Sequence, residues 1–126
     1  MPIINIVPKD ELTEKLILEI IEKLRETIKN ITCEISGFPK TDILVNLMRC
    51  PYRNSDPDSA DAIVYIETNP NEDFEDEANY FCKEIAQIFI DCGFTSRNGI
   101  EIWTRFVPGP WCLVKKGAIE EFVTHA

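Results

Sequence analysis

Two long stretches of this 126-residue chain repeat apolar side chains at steps of three and four residues, each between short β-branched runs. In residues 9–29 and 72–92 the apolar positions form one stripe and charged residues fill the opposite face, which is typical of amphipathic helices. Short apolar runs predict four strands, at residues 3–7, 42–49, 61–67 and 99–107. The order is therefore β-α-β followed by β-α-β.

This order predicts an α+β fold, an α/β sandwich in which a four-stranded sheet carries two helices on one face. A chain of this length is most simply one domain, here 1–126. Its two β-α-β units span about residues 2–49 and 61–107, and a C-terminal segment, 108–126, opens with a short strand at 111–114. The halves align weakly at an offset of 62 residues, which places Pro8 on Pro70. A right-handed crossover would make the strands of each unit parallel.

Composition excludes several classes of function. The net charge of −9 argues against nucleic acid, which proteins bind mainly through Lys and Arg. The apolar runs are too short to span a membrane, and no basic segment precedes an apolar one as in a signal peptide. Five cysteines without a C-x-x-C spacing indicate reduced thiols and a cytoplasmic protein. Because a zinc site needs clustered Cys and His ligands and His125 is the single histidine, we expect no metal site and no Cys–His or Ser–His–Asp catalysis.

The arginines are distributed unevenly. Four of the five lie outside the predicted helices, at Arg49, Arg53, Arg97 and Arg105, whereas most acidic residues lie on the helices or in loops. One interpretation is that the helix faces are simply solvated. The other is a locally positive pocket for an anionic substrate.

The chain opens with Met1-Pro2, directly before the run Ile3-Ile4-Asn5-Ile6. If Met1 is removed, Pro2 becomes a secondary amine at the start of a buried strand, and such an amine can act as an acid or a base. The alternative is structural, because proline is tolerated at the first residue of a strand, where no N–H is needed.

A chain with two β-α-β units that opens Met-Pro resembles the tautomerase superfamily, which includes oxalocrotonate tautomerases, macrophage migration inhibitory factor and malonate semialdehyde decarboxylase. The resemblance covers roughly residues 2–114. It is carried by Pro2 to Ile6, by residues 66–72 between the third strand and the second helix, by residues 91–94, and by Trp111.

The resemblance implies that Pro2 is the catalytic group. It would act as general acid or base on a small anionic keto or enol acid, in a tautomerisation or isomerisation, within a homotrimer and without a cofactor. An α-amine suits this role because its ordinary pKa of about 8 lies close to neutral pH.

In the related dehalogenases and decarboxylase, arginines after the third strand hold the substrate carboxylate. The matching positions here are Asn69 and Asn71, which offer hydrogen bonds without charge. We therefore regard decarboxylation and dehalogenation as less expected than tautomerisation. Arg49, Arg53 or Arg105 could supply the missing charge, for example from a neighbouring subunit.

Three further residues are candidates on the same resemblance. Asp42 stands near an acidic residue that assists proline in the decarboxylase-like members, although a solvent-exposed position before the second strand is the plainer interpretation. Lys40 lies near a basic residue used in the cytokine-like members. Trp111 could form a wall of the site, although tryptophan more often serves packing.

Two rival functions remain open. The order β-α-β-β-α-β also occurs in ferredoxin-like modules, many of which bind small molecules without catalysis. We expect parallel pairs of strands one with two and three with four in a tautomerase-like sheet, and a central antiparallel pair of strands one and three in a ferredoxin-like sheet. The second rival is a tautomerase-like protein that keeps Met1 and has lost catalysis.

Overall fold

The computed structural model describes residues 2–109, which form one mixed sheet with helices. Along the chain the elements are β1 (Ile3–Pro8), α1 (Glu11–Ser36), β2 (Leu44–Leu47), β3 (Ala62–Thr68), α2 (Glu72–Asp76), α3 (Ala78–Asp91) and β4 (Ile100–Phe106). A short 3-10 turn, Lys40–Asp42, precedes β2. The strand predicted at 111–114 lies outside the described residues.

The sheet has the strand order β2-β1-β3-β4. β1 and β2 are parallel, with Ile3 opposite Leu44, and β3 and β4 are parallel, with Glu67 opposite Arg105. Each β-α-β unit therefore pairs its own two strands directly, and the predicted α+β fold is confirmed.

The expectation that a central antiparallel pair marks a ferredoxin-like sheet was wrong. β1 and β3 do form a central antiparallel pair, with Ile3 opposite Glu67, and the two parallel pairs are present as well. The two folds differ in whether the two strands of each β-α-β unit are neighbours in the sheet. In a ferredoxin-like sheet the β-α-β unit is split by an inserted strand, whereas here β2 lies directly beside β1, and β4 beside β3.

The core lies between one face of the sheet and the helices. Alternate residues of the central strands, among them Ile4, Ile6, Val64 and Ile66, are almost completely buried there. Phe74 of α2 packs against other rings in this layer, and its centroid is 4.8 Å from that of Phe81 in α3 and 5.9 Å from that of Phe106 in β4. Burial of these side chains supplies the main driving force for this arrangement.

The alternate residues on the other side of the sheet form what we call the open face. It is more exposed than the helix-covered face and mixes apolar with polar side chains. Its members include Ile3, Asn5, Leu44, Asn46, Tyr65, Glu67, Trp103 and Arg105. The side-chain amide of Asn46 donates to the Oδ1 of Asn5 at 3.0 Å, which confirms that β1 and β2 project these residues to the same side.

Helix α1 is longer than the predicted 9–29, because it continues to Ser36. Thr32 and Ser36 extend the buried stripe, and each hydroxyl donates to the backbone carbonyl four residues earlier. This local bonding satisfies polar side chains inside a buried helix face. The helix ends at Gly37, whose φ of 76° is left-handed and whose N–H reaches the carbonyl of Cys33.

The second predicted helix, 72–92, is divided in two at Glu77. Five of the six residues from 72 to 77 are acidic. Like charges four residues apart destabilise a helix, so this acidic run, which includes Glu72 and Asp76, weakens the helix on the N-terminal side of the break.

Candidate functional site

Pro2 lies at the edge of the sheet where β1 and β2 begin and where β3 and β4 end. Its side chain is buried, and its carbonyl accepts a hydrogen bond from the N–H of Leu44 at 3.0 Å. The strand registers, continued by one residue, place Pro2 between Ile43 and Thr68. Ile43 is fully buried and Thr68 is 2% exposed, so Pro2 sits in a largely apolar setting.

Asp42 lies beside this position. It is half-buried and is the last residue of the 3-10 turn. The next residue, Ile43, is the one that lies opposite Pro2. Strand spacing and rise place the Cα atoms of Asp42 and Pro2 about 6 Å apart. The structure therefore brings these two predicted residues to the same edge.

Lys40 is exposed two residues earlier, at the start of the turn. It lines an open groove of about 350 Å³ with Arg25 and Lys29 of α1, together with Glu22 and Glu26. In this groove the acidic side chains offset the basic ones.

Both polar atoms of the Asn71 side chain form hydrogen bonds with the backbone. Its Oδ1 accepts from the backbone N–H of Phe74 at 3.1 Å, which caps α2. Its Nδ2 donates to the carbonyl of Ser36 at 3.2 Å, which ties the start of α2 to the end of α1. This double structural role was missed in the sequence, although Asn before an acidic first turn is a common cap signal.

Asn69 follows β3 directly and is half-buried. Its Nδ2 lies 3.4 Å from the carbonyl of Gly109, which continues the chain after β4. Asn69 is thus at the same edge of the sheet as Pro2, and its role in substrate binding stays a prediction.

Arg105 reaches this end of the sheet on the open face, whereas Pro2 is on the helix-covered face. Its Nη1 lies 3.9 Å from Oε1 of Glu67, and both side chains are largely exposed. Together with Tyr65 and Trp103 they line a shallow groove of about 320 Å³. Within one protomer, Arg105 does not join the Pro2 side of the sheet.

Arg49 and Arg53 lie at the opposite end of the sheet. The residue before Arg49, Met48, donates its backbone N–H to Ile6 near the end of β1, and Arg53 lines a cleft with Lys9 and Tyr52. The prediction that either one approaches Pro2 is therefore not met within a single chain. A contribution of Arg49 or Arg53 to the site of a neighbouring subunit stays a prediction. Trp111, the remaining candidate, lies outside the described residues.

Two general features of residues 2–109 bear on function. No helix in this range is long and apolar enough to cross a bilayer. No group of three or more Cys, Asp or Glu side chains in the same range is arranged to hold a metal ion.

Comparison with known proteins gives a clear result at the level of structure. A macrophage migration inhibitory factor-like protein from Entamoeba histolytica matches with a TM-score of 0.59 at 11% identity, over 86% of this chain and 88% of that one. Malonate semialdehyde decarboxylase matches with a TM-score of 0.60 at 15% identity, over 99% and 97%. A fused 4-OT, a wild-type asymmetric trimer, matches with a TM-score of 0.61 at 10% identity, over 84% and 86%.

At the level of sequence, no family model and no curated protein matches the chain. Identities of 10–15% carry the fold and not a particular reaction. Since these three proteins are all tautomerase-superfamily members, the chain has the tautomerase fold.

Proposed function

We propose that this chain is an enzyme in which Pro2, freed by removal of Met1, is the general acid and base for a small keto or enol acid. The observation that carries the proposal is the burial of Pro2 at the start of the central strand β1, beside Asp42. In this reaction the Pro2 nitrogen takes a proton from an enol oxygen or from a carbon next to a carbonyl, and the same proton returns at another atom of the substrate.

The setting of Pro2 favours this chemistry. A free α-amine has a pKa of about 8, so roughly a fifth is unprotonated at pH 7.4. Burial against Ile43 disfavours the charged form and lowers the pKa of such an amine. A decrease of one unit would raise the free base to about 70%, close to the optimum for proton transfer at neutral pH.

Asp42 is the proposed second group. A carboxylate one residue from the position opposite Pro2 can hold a substrate hydroxyl or stabilise the protonated amine. Asn69, at the end of β3, is the proposed hydrogen-bonding group for the substrate carboxylate. Asn71 is a weaker candidate because both polar atoms of its side chain already bind the backbone.

We further propose that the protein is a homotrimer. The open face carries exposed apolar side chains, including Leu44, Tyr65 and Trp103, that no helix in residues 2–109 covers. Packing of this face and of the sheet edges against other copies would bury them. One structural neighbour is itself a trimer.

The test pairs intact mass with an assay of phenylpyruvate or 2-hydroxymuconate ketonisation. We expect a mass lacking Met1, and we expect Pro2→Ala to lower kcat/KM by about 10²-fold or more. The matched control is Pro51→Ala, an exposed proline in the loop at the other end of the sheet. A mass that includes Met1, or equal activity of the wild type and Pro2→Ala, would refute the proposal.

A second candidate is a tautomerase-like binding protein without catalysis. The commitment of Asn71 to the fold favours it, because a position that holds an arginine in the active relatives is structural here. Retained Met1 would support this candidate, since the Pro2 nitrogen would then be a non-basic amide.

A further inference from the structure

Thr68 carries a buried hydroxyl without a hydrogen-bond partner among residues 2–109. Only 2% of the residue is exposed, so bulk solvent does not reach it. An unsatisfied buried hydroxyl destabilises a protein by about 1–3 kcal/mol, and such groups in native structures call for an explanation.

Other buried hydroxyls in the same region are satisfied locally. Thr32 and Ser36 of α1 each donate to the carbonyl four residues earlier. Thr68 lies at the end of a strand, where no backbone carbonyl is placed in the same way. Its hydroxyl is therefore available to a group that arrives at this edge of the sheet.

Thr68 is the cross-strand partner of Pro2. The antiparallel register pairs Ile3 with Glu67, so the next pair is Pro2 with Thr68. The carbonyl of Pro2 binds the N–H of Leu44 on one side, and that of Thr68 binds the N–H of Val107 on the other. Because both carbonyls point away from each other, this is a non-hydrogen-bonded pair, in which Cα atoms are about 4.5 Å apart and side chains are close.

The two side chains also share a face. Pro2 and Thr68 are buried, whereas their neighbours Ile3 and Glu67 are half-buried and exposed, respectively, on the open face. Strand alternation thus directs the Thr68 hydroxyl and the Pro2 ring into the same space, under the helices.

We propose that Thr68 is a positioning residue whose hydroxyl is the hydrogen-bond partner of the Pro2 amine. The inference rests on the proposed function, since only removal of Met1 gives Pro2 an N–H. A protonated amine donates to the hydroxyl oxygen, and the neutral amine can accept from the hydroxyl hydrogen. Thr68 then holds the amine in one orientation in both states.

This pairing has a measurable consequence. A hydrogen bond from the charged amine favours the protonated form and so raises the pKa of Pro2, against the effect of burial. Thr68→Val keeps the shape and removes the hydroxyl. We expect it to lower the pKa of Pro2 by about one unit, a tenfold change in the protonation equilibrium.

The experiment is an NMR titration of protein labelled with ¹⁵N-proline, in which an amino-terminal amine is distinct from the amide nitrogens of the other prolines. Thr68→Ser restores the hydroxyl and is expected to titrate like the wild type. The control is Thr13→Val, a buried threonine in the first turn of α1, expected to leave the pKa unchanged. The acidic limb of kcat/KM against pH should move with the titration.

The outcomes separate the two proposals. An unchanged Pro2 pKa in Thr68→Val overturns the pairing, and a raised KM alone would make Thr68 a substrate contact instead. A shifted pKa in a protein without ketonisation activity supports the pairing and refutes the proposed function. A Pro2 nitrogen that does not titrate refutes both.

Discussion

Replacing Asp61 with asparagine tests how much the contacts of one buried carboxylate stabilise the fold. These contacts join the two β-α-β units. Asp61 directly precedes β3 and is 7% exposed. One carboxylate oxygen accepts from the Ser96 hydroxyl at 2.6 Å and from the backbone N–H groups of Arg97 and Asn98 at 2.7 and 3.1 Å. The other oxygen lies 2.9 Å from Nζ of Lys9. A single side chain thus anchors the loop before β4 to the turn between β1 and α1.

The size of the effect follows from these contacts. Asparagine can keep the three accepted hydrogen bonds as neutral ones, but its NH₂ group then faces the Lys9 ammonium. Hydrogen bonds to a charged group contribute about 1.5–3 kcal/mol and neutral ones about 0.5–1.5. Allowing for non-additivity, we expect Asp61→Asn to lower the free energy of unfolding by about 3 kcal/mol at pH 7. This corresponds to a decrease in Tm of roughly 10 °C for a domain of this size.

The pH dependence identifies the charge as the cause. Burial alone raises the pKa of Asp61, but the hydrogen bonds from Ser96, Lys9 and the backbone outweigh it and hold the pKa well below its usual range. A carboxylate with a lowered folded pKa contributes stability that is fully present above the unfolded pKa of about 3.9 and is lost as pH falls below it. The difference between wild type and Asp61→Asn should therefore be largest near neutral pH and shrink below pH 4.

Urea denaturation at several pH values measures this difference. The control is Asp58→Asn, an exposed acid in the preceding loop, expected to change stability by less than about 0.5 kcal/mol. A loss below about 1 kcal/mol at pH 7 would contradict the energetic argument. An equal loss at neutral and at strongly acidic pH would show that the effect is steric and not electrostatic.

Two more predictions concern the helix cap and the assembly. Asn71→Ala removes the α2 cap and the tie to Ser36, so we expect a loss of about 1–2 kcal/mol in urea denaturation, partly restored in Asn71→Asp, which keeps the cap acceptor. Wild-type stability with a raised KM would instead make Asn71 a substrate contact. Trp103→Glu should reduce the mass in light scattering from about three chains to one, whereas Leu18→Glu, on α1 and similarly exposed at 59% against 57%, should not. An undiminished mass for Trp103→Glu would refute an interface on the open face.

Much of the fold was predictable because hydrophobic periodicity is a local property. The alternation of Val64 and Ile66 with Tyr65 and Glu67 is enough to assign the two faces of β3 from the sequence. The end of α1 was harder to predict, since Thr32 and Ser36 are polar residues that normally suggest a loop. They remain helical because each hydroxyl is satisfied within the helix itself.

The candidate site also has a part that could be predicted from the sequence and a part that could not. The approach of Pro2, Asp42 and Asn69 follows from topology, because parallel strands begin at one edge and β3 runs back to it. The same reasoning could have shown that Arg49, which follows β2, lies at the far edge of the sheet of its own chain. The second role of Asn71, its bond to Ser36, joins residues 35 positions apart. No sequence pattern specifies such a contact.

The position of Asn71 also constrains how this site can bind an anion. An arginine there could donate to the carbonyl of Ser36, but it has no acceptor for the N–H of Phe74, so α2 would lose its cap. A positive charge for the proposed anionic substrate would therefore come from another position. Arg105 ends on the same edge, and its pairing with Glu67 at 3.9 Å is an exposed contact worth less than about 1 kcal/mol. Such a weak pair does not prevent Arg105 from turning toward an anion. In the proposed trimer, the copy packed on the open face would therefore determine which subunit's site Arg105 faces.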